Sequence, residues 1–248
     1  LATGISQCVG GILPLIYFLR PNGSLLRLVK TKMEGSVLVK ACVNGSSELM
    51  SNIAASLVSV LYNLQLLRLE GENGVAAYGT LMYIQFIFIA VFIGYTIGTA
   101  PVISYHYGAQ NHDELKSLLR KSLILMGAAG VIMMILANVL AGPLASIFVG
   151  YDAKLFEMTK HAFRLFSFSF LLAGINIFAS AFFTALNNGG ISAAISFLRT
   201  LVFQVLSVLI LPIFFQLDGI WWAITVAELL ACFITMTLLI AKRKKYNY

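Results

Sequence analysis

Two glutamates lie inside long apolar stretches of this sequence, where a charged side chain is costly. Glu48 lies in the stretch 41–67, and Glu228 lies in the stretch 220–241. Desolvation disfavours an ionised carboxylate, so a carboxyl group in such surroundings is able to take up and release a proton. Both glutamates are therefore candidates for coupling to a bound cation, either H⁺ or Na⁺.

Each glutamate also has a purely structural interpretation, and the residue pattern leaves both interpretations open. Glu48 lies about two helical turns from one end of its stretch, where water or Lys40 would neutralise its charge. Glu228 lies in the middle of its stretch, where it either pairs with Arg199 or faces a water-filled cavity.

Neutral polar residues in the apolar stretches form a second set of candidates. Such residues either hydrogen-bond neighbouring helices or line a cavity for substrate. A cavity for organic cations would also need aromatic rings for cation–π contacts, and nearby Tyr and Phe residues would supply them. The candidates for the substrate cavity are Asn52, Tyr62, Asn63, Gln85, Asn176 and Gln204.

All these residues must be positioned by helices that cross a membrane. The sequence is 59% hydrophobic and 11% charged, whereas about 25% of the residues of a soluble protein are charged. The apolar residues come in blocks long enough to cross ~30 Å of hydrocarbon as helices. We therefore predict an all-α fold, a polytopic membrane helix bundle. Its spans are residues 1–19, 41–67, 75–105, 122–149, 161–186, 191–215 and 220–241.

The segment 20–40 divides the chain. It carries five Lys or Arg residues against the single acid Glu34, and leucines and valines alternate with the cations. This pattern predicts an amphipathic linker at the cytoplasmic membrane surface. Since the sequence begins inside an apolar run without a methionine, we expect residues 1–19 to be the end of a helix. Residues 41–248 form the six-helix transmembrane lobe.

The distribution of basic residues predicts the orientation in the membrane. The loops before the second span and after the third are rich in Lys and Arg, and so is the tail, Lys242–Lys245. The positive-inside rule then predicts a multi-pass protein of the plasma (cytoplasmic) membrane with its C-terminus inside. The net charge of +7 comes from these loops beside the lipid bilayer, so we expect no nucleic-acid partner.

Enzyme motifs are absent from the sequence. It contains no HExxH, GxSxG, GxGxxG or P-loop pattern, and its three histidines and three cysteines lack the spacing of metal ligands. We therefore predict no enzyme activity, no metal and no organic cofactor, with H⁺ or Na⁺ acting only as a transported ion.

Three sets of residues, Asn44-Gly45-Ser46-Ser47-Glu48, Asn63 and Ala185-Leu186-Asn187-Asn188-Gly189, are similar to the bacterial branch of the multidrug and toxic compound extrusion (MATE) family. Three short motifs, Ala76-Ala77-Tyr78-Gly79, Gly98-Thr99-Ala100-Pro101 and Tyr107-Gly108-Ala109-Gln110-Asn111, resemble the same family. Their order and spacing resemble the eighth helix of those transporters and the loop after it, and the resemblance extends over essentially the whole chain. Within these motifs, Pro101 is the expected kink, and Gly108 and Ala109 mark the helix exit.

The resemblance implies a C-terminal lobe, made of the end of helix six and helices seven to twelve, whose partner is a missing N-terminal lobe. It implies an antiporter that exchanges H⁺ or Na⁺ for bulky, often cationic organic compounds. Asn52 and Asn176 stand where some family members carry a glutamate in helix seven and an aspartate in helix ten. The alternatives are a lipid-linked oligosaccharide flippase and a non-transporting membrane scaffold subunit.

Overall fold

The computed structural model describes residues 2–20 and 34–248, without the side chains of residues 2, 3, 47 and 48. All regular structure in these residues is helical. The chain divides into two compact units, residues 1–39 and 40–248. The first unit contains helix α1, Ala2–Leu19. The predicted amphipathic linker falls largely on residues 21–33, outside the described residues, and residues 35–40 are already helical.

The helical stretch Gly35–Gly108 is two helices joined by a reversal at Gly71, whose dihedral angles (φ 65°, ψ −145°) are not helical. The stacked rings of Tyr62 and Tyr78 lie 4.9 Å apart. In a straight helix, 16 residues would separate them by about 24 Å. Residues 35–70 therefore form α2, and residues 72–108 form an antiparallel α3. Only a residue without a Cβ adopts this φ readily, which accounts for the glycine.

The next three helices are α4 (His112–Val149), α5 (Ala153–Ser167) and α6 (Phe170–Ala185). The side chain of Asn111 caps α4 by accepting from the backbone N–H of Glu114, and Asp152 caps α5 in the same way. Helices α5 and α6 meet at an angle of 52°, and together they have the length and composition of a broken span or a re-entrant loop. The helical structure of this region begins at Ala153, whereas the sequence pattern places the start of the fifth span at His161.

The last part of the chain is a second reversal. An α-helical segment (Gly189–Phe197) continues through a π-helical turn (Leu198–Phe203) into Gln204–Tyr246. Gln216 breaks the last of these with φ 50° and ψ −126°. A Cβ on Gly219 would lie 2.5 Å from the carbonyl oxygen of Leu211, so the segments before and after Gln216 approach each other closely. Residues 189–215 form α7, and residues 217–246 form α8.

The second unit has enough helix for six membrane crossings. Three helical stretches are long and apolar enough to span a membrane, and the bent pair passes the same test when it is counted as one span. Two of the three stretches reverse, at Gly71 and at Gln216, and each segment on either side exceeds the ~20 residues that a crossing needs. The prediction of an all-α membrane helix bundle is confirmed.

The loops gather at two ends of the bundle, because neighbouring helices run in opposite directions. At one end, Ser104 Oγ donates to the carbonyl oxygen of Ala185 at 3.0 Å, and the rings of Tyr107 and Tyr246 lie 5.9 Å apart. We call this the tail end, since α8 finishes there. At the other end, the turn end, His161 Nε2 lies 2.9 Å from Asp218 Oδ1.

Helix α6 is the centre of the core. It packs against α4, α7 and α8, and its buried aromatic side chains include Phe178, Phe182 and Phe183. Two glycines allow the close packing. A Cβ on Gly130 of α4 would lie 2.8 Å from the backbone oxygen of Phe170, and one on Gly174 would lie 2.8 Å from the ring of Phe92.

The C-terminal tyrosine packs on the tail end, where it offers a test of the fold. Tyr248 donates its hydroxyl to the carbonyl oxygen of Leu239 at 3.0 Å. Burial, and to a smaller extent Tyr246, raise the pKa of Tyr248 from 10.0 to about 12. The folded state therefore holds this proton more tightly, and the contact contributes stability that is lost as the pH rises from about 10 to about 12.

We expect the difference between the ultraviolet titration curves of the wild type and of Tyr248→Phe to show one phenol that ionises near pH 12. A difference curve centred near pH 10 would contradict the buried placement of this ring.

Candidate functional site

The second unit contains a buried ion pair between α7 and α8. Arg199 Nη2 lies 2.6 Å from Glu228 Oε1, and Arg199 Nε lies 2.9 Å from both carboxylate oxygens. The Glu228 side chain is 2% exposed and that of Arg199 is 18% exposed. The structure thus brings together the two charges that the sequence offered as partners. Such a pair joins α7 to α8 through charge-assisted hydrogen bonds.

Asn176 of α6 completes this site. Its Nδ2 donates to Glu228 Oε2 at 2.7 Å and to the backbone oxygen of Glu228 at 3.0 Å. Asn176 is fully buried. The acid network, defined as Asn176, Arg199 and Glu228, therefore joins three different helices through one carboxylate. An amide at this position donates to the carboxylate, whereas a second acid would repel it.

The π-helical turn of α7 contributes to the position of Arg199, which is its second residue. A π-helical turn widens the helix and leaves some backbone groups outside the regular α-helical pattern, and such turns are frequent at functional sites. The acid network therefore lies where α7 departs from regular geometry. A charged residue and an irregular helix at the same depth are together unusual in a purely structural membrane bundle.

The other cavity candidates do not join the acid network. Tyr62 stacks on Tyr78 near the Gly71 turn, and its buried hydroxyl has no partner among the described residues. Asn63 donates to the backbone oxygen of Ser59 at 2.9 Å on its own helix. Gln85 and Gln204 are half-buried, and Asn52 is exposed on α2. The side chain of Glu48 lies outside the described part of the chain.

The motif residues have simpler roles in the structure than the sequence suggested. Helix α3 continues through Pro101 with helical dihedral angles, so the expected kink is not a break in the helix. Gly108 ends α3, and Ala109 donates its N–H to the carbonyl oxygen of Tyr105, which closes the last turn.

A cavity of about 310 Å³ opens between α3 and the end of α4, at the turn end. It contains none of the candidate residues; its lining is Ala76, Gly79, Thr80, Tyr83, Phe148, Val149 and Tyr151. Within residues 4–20 and 34–248 as described, no group of three His, Cys, Asp or Glu side chains is arranged to hold a metal ion.

Hydroxyl side chains between α6 and α7 are polar contacts that the sequence prediction missed. Ser180 Oγ lies 2.9 Å from Ser192 Oγ and 3.0 Å from Ser196 Oγ, and Thr184 Oγ1 donates to Ser192 Oγ at 2.7 Å. The signal was present, since Asn176, Ser180 and Thr184 recur every four residues and so share one helix face.

Comparison with known proteins places this arrangement in a family. A family model described as MatE matches residues 49–210, more than half of the chain. The multidrug export protein MepA of Staphylococcus haemolyticus (strain JCSC1435) is 23% identical over 248 residues, which cover 99% of this chain and 54% of the relative. MepA of Staphylococcus aureus (strain MRSA252) is 23% identical over 250 residues with the same coverage. The chain spans about half the length of these curated relatives.

Solved structures share the fold. A MOP superfamily transporter from Pyrococcus furiosus Vc1 has a TM-score of 0.90 at 18% identity, covering 98% of this chain and 55% of the other. The outward-facing conformation of a multidrug resistance MATE family transporter has a TM-score of 0.88 at 19% identity, with the same coverage. With the family model matching most of the six-helix unit, this chain belongs to the MatE family, the multidrug and toxic compound extrusion transporters that its motifs resemble.

Proposed function

We propose that this chain is the C-terminal lobe of a secondary active antiporter that exports bulky or cationic organic compounds in exchange for H⁺ or Na⁺. Family membership carries this proposal, supported by relatives that are named multidrug export proteins and are about twice as long as this chain. A second six-helix lobe supplies the other half, and the substrate binds between the lobes. The tail end faces the cytoplasm, as its basic residues predict.

Glu228 is the coupling carboxylate in this proposal, and Arg199 is its internal counter-ion. In the conformation described above, the guanidinium and the Asn176 amide satisfy the carboxylate. When a proton or Na⁺ binds Glu228, the carboxylate no longer attracts Arg199, so α7 is free to shift against α8. This shift couples cation binding to substrate export, because Glu228 cannot bind Arg199 and the incoming cation equally well at the same time. Glu48 remains a second candidate of the same chemistry.

The test is dye efflux by the full-length transporter that contains this chain, reconstituted into liposomes under an imposed H⁺ or Na⁺ gradient. We expect wild-type efflux to follow one of the two gradients. Glu228→Gln keeps the size and hydrogen bonding of the side chain but cannot carry a proton or a charge. Its gradient-driven rate should fall at least ~tenfold.

Glu157→Gln is the matched control. Glu157 is an exposed glutamate of α5 whose ion pair with Lys160 lies at the surface of the protein. Losing this ion pair should leave efflux unchanged. Wild-type efflux that ignores both gradients would contradict the proposal. Equal rates for wild type and Glu228→Gln would remove Glu228 from it and leave Glu48→Gln as the next variant to measure.

No observation favours the two alternatives. A flippase for lipid-linked oligosaccharides would need cations facing a cavity, whereas Arg199 is bound to Glu228. A scaffold subunit would need no buried charge.

A further inference from the structure

Four hydroxyl side chains form a connected set in the tail half of the α6–α7 interface. They are bonded to one another at 2.7 to 3.0 Å. Thr184 donates to Ser192, whereas either atom can be the donor in the bonds of Ser180 with Ser192 and Ser196, because each hydroxyl donates one hydrogen bond and accepts up to two. We call this set the hydroxyl ladder; its members are Ser180, Thr184, Ser192 and Ser196.

The ladder lies in sequence between the tail end and the acid network. On α6, Ser180 lies four residues from Asn176 and Thr184 lies four residues further on, next to the helix end at Ala185. On α7, Ser196 lies three residues before Arg199. Residues spaced by three or four share a helix face, about 4.5 to 6 Å apart along the axis. Both rows of side chains therefore lead from the tail end towards Glu228.

Asn176 is the member of the acid network that shares the α6 face of Ser180 and Thr184. Its Oδ1 is buried and has no hydrogen-bond partner among the described residues, whereas its Nδ2 makes both bonds to Glu228. A reversed amide would turn Oδ1 towards the carboxylate and repel it, so a flip would not satisfy this oxygen. A buried acceptor of this kind points to a small donor ligand, and water fits because it donates twice and accepts as well.

Building on the function proposed above, we propose that the hydroxyl ladder is the path by which the coupling proton travels between the tail end and Glu228, with one water bound at Asn176 Oδ1 completing it. Alanine side chains would be sufficient if these positions only packed α6 against α7. A proton path also requires hydrogen bonds between the hydroxyls and a site for the bound water, and the ladder and the unpartnered amide oxygen of Asn176 supply them.

Each step of this path conserves atoms and charge. A hydronium ion at the tail end transfers a proton to Thr184 Oγ1, which releases its own hydrogen to Ser192 Oγ. Ser192 passes a proton to Ser180 in the same way, and Ser180 passes one to the bound water. That water protonates the Glu228 carboxylate, which becomes a neutral acid and releases Arg199. Every hop breaks one O–H bond and forms another. Na⁺ cannot move by such hops, so the path selects H⁺ as the coupling ion.

The test compares two serine variants in the full-length transporter in liposomes. Ser180→Ala combined with Ser192→Ala removes the ladder with the smallest change in volume. Ser207→Ala is the control, since Ser207 is also a buried serine of α7 but lies outside the ladder. We expect H⁺-driven dye efflux to fall at least ~tenfold in the double variant. Its dye affinity should stay at the wild-type value, and its thermal stability should fall by no more than the loss of the three hydroxyl hydrogen bonds accounts for. Every property of the control should stay at the wild-type value.

Three results would contradict the proposed proton path through the hydroxyl ladder. The first is wild-type H⁺-driven efflux by the double variant. The second is a parallel loss of efflux, dye affinity and stability, which would identify the hydroxyls as a packing contact. The third is wild-type efflux driven by Na⁺ alone, which would leave the antiporter proposal standing without the ladder. Failure of the antiporter proposal itself looks different, because the wild type would then show no gradient-driven efflux.

Discussion

Replacing Arg199 by glutamine should lower the stability of the protein by about 3–5 kcal/mol, because it leaves the charge of Glu228 buried without its partner. The carboxylate is 2% exposed, so water cannot take over the role of the guanidinium without opening the bundle. For a unit of this size, such a loss corresponds to a fall of about 10 °C in the melting temperature. Thermal unfolding of the full-length transporter in detergent measures it.

The second substitution decides whether the charge is the cause. Adding Glu228→Gln to Arg199→Gln removes the buried charge itself, so the double variant should recover most of the lost stability. Arg164→Gln is the matched control, because Arg164 is an exposed arginine of α5 and its loss should cost less than ~0.5 kcal/mol. A double variant no more stable than Arg199→Gln would contradict the network drawn here.

Valine at position 189 should destabilise the lobe by about 3 kcal/mol or more, at the upper end of the cost of overpacking. A Cβ on Gly189 would lie 2.4 Å from Cα of Asn44 and 2.5 Å from the carbonyl oxygen of Val43. Both atoms belong to the backbone of α2, so no side-chain rotation relieves the clash. The start of α7 would have to move away from α2. Thermal unfolding and the yield of monodisperse protein measure the effect.

The adjacent glycine supplies the control. A Cβ on Gly190 would find only the side-chain oxygen of Asn188, at 3.8 Å, and the residue is exposed. Gly190→Val introduces the same side chain into the same helical turn, so the two variants share any change in helix propensity. We expect it to cost well under ~1 kcal/mol. Equal destabilisation by the two variants would show that backbone flexibility, and not the α2–α7 contact, requires glycine here.

The membrane helices are the part of the fold that the sequence predicts best, because crossing a bilayer imposes both length and composition. The reversal at Gly71 follows Arg68 and Glu70, and the reversal at Gln216 precedes Asp218, so charged residues between apolar runs mark both. The role of Pro101 as a kink stays a prediction; α3 continues through this residue with helical dihedral angles. A proline in a membrane helix is tolerated where neighbouring groups satisfy the freed carbonyl.

The acid network was predictable only in part. Charge inside an apolar span singled out Glu228, and Arg199 was the obvious basic partner. Asn176 was a candidate for a different reason, as a cavity residue. Its bond to Glu228 depends on the packing of α6 against α8, which no local pattern specifies. Membership of a transporter family agrees with the prediction that the chain is not an enzyme.

The hydroxyl ladder shows what local patterns miss. Serine and threonine are common in membrane helices, and a spacing of four residues is as frequent in a packing contact as in a path. Only the pairing of two helix faces reveals that Ser180 and Ser192 touch each other. The roles of Asn52, Asn63 and Gln85 stay predictions, because the acid network is formed by other residues.

Binding of a fluorescent organic cation to the purified full-length transporter, titrated against pH and against Na⁺, tests the central claim most directly. If the coupling cation and the substrate are exchanged through Glu228, raising the cation concentration weakens dye binding in the wild type, by linkage. In Glu228→Gln the dye affinity should be independent of that cation. The same dependence in Glu228→Gln as in the wild type would contradict the account.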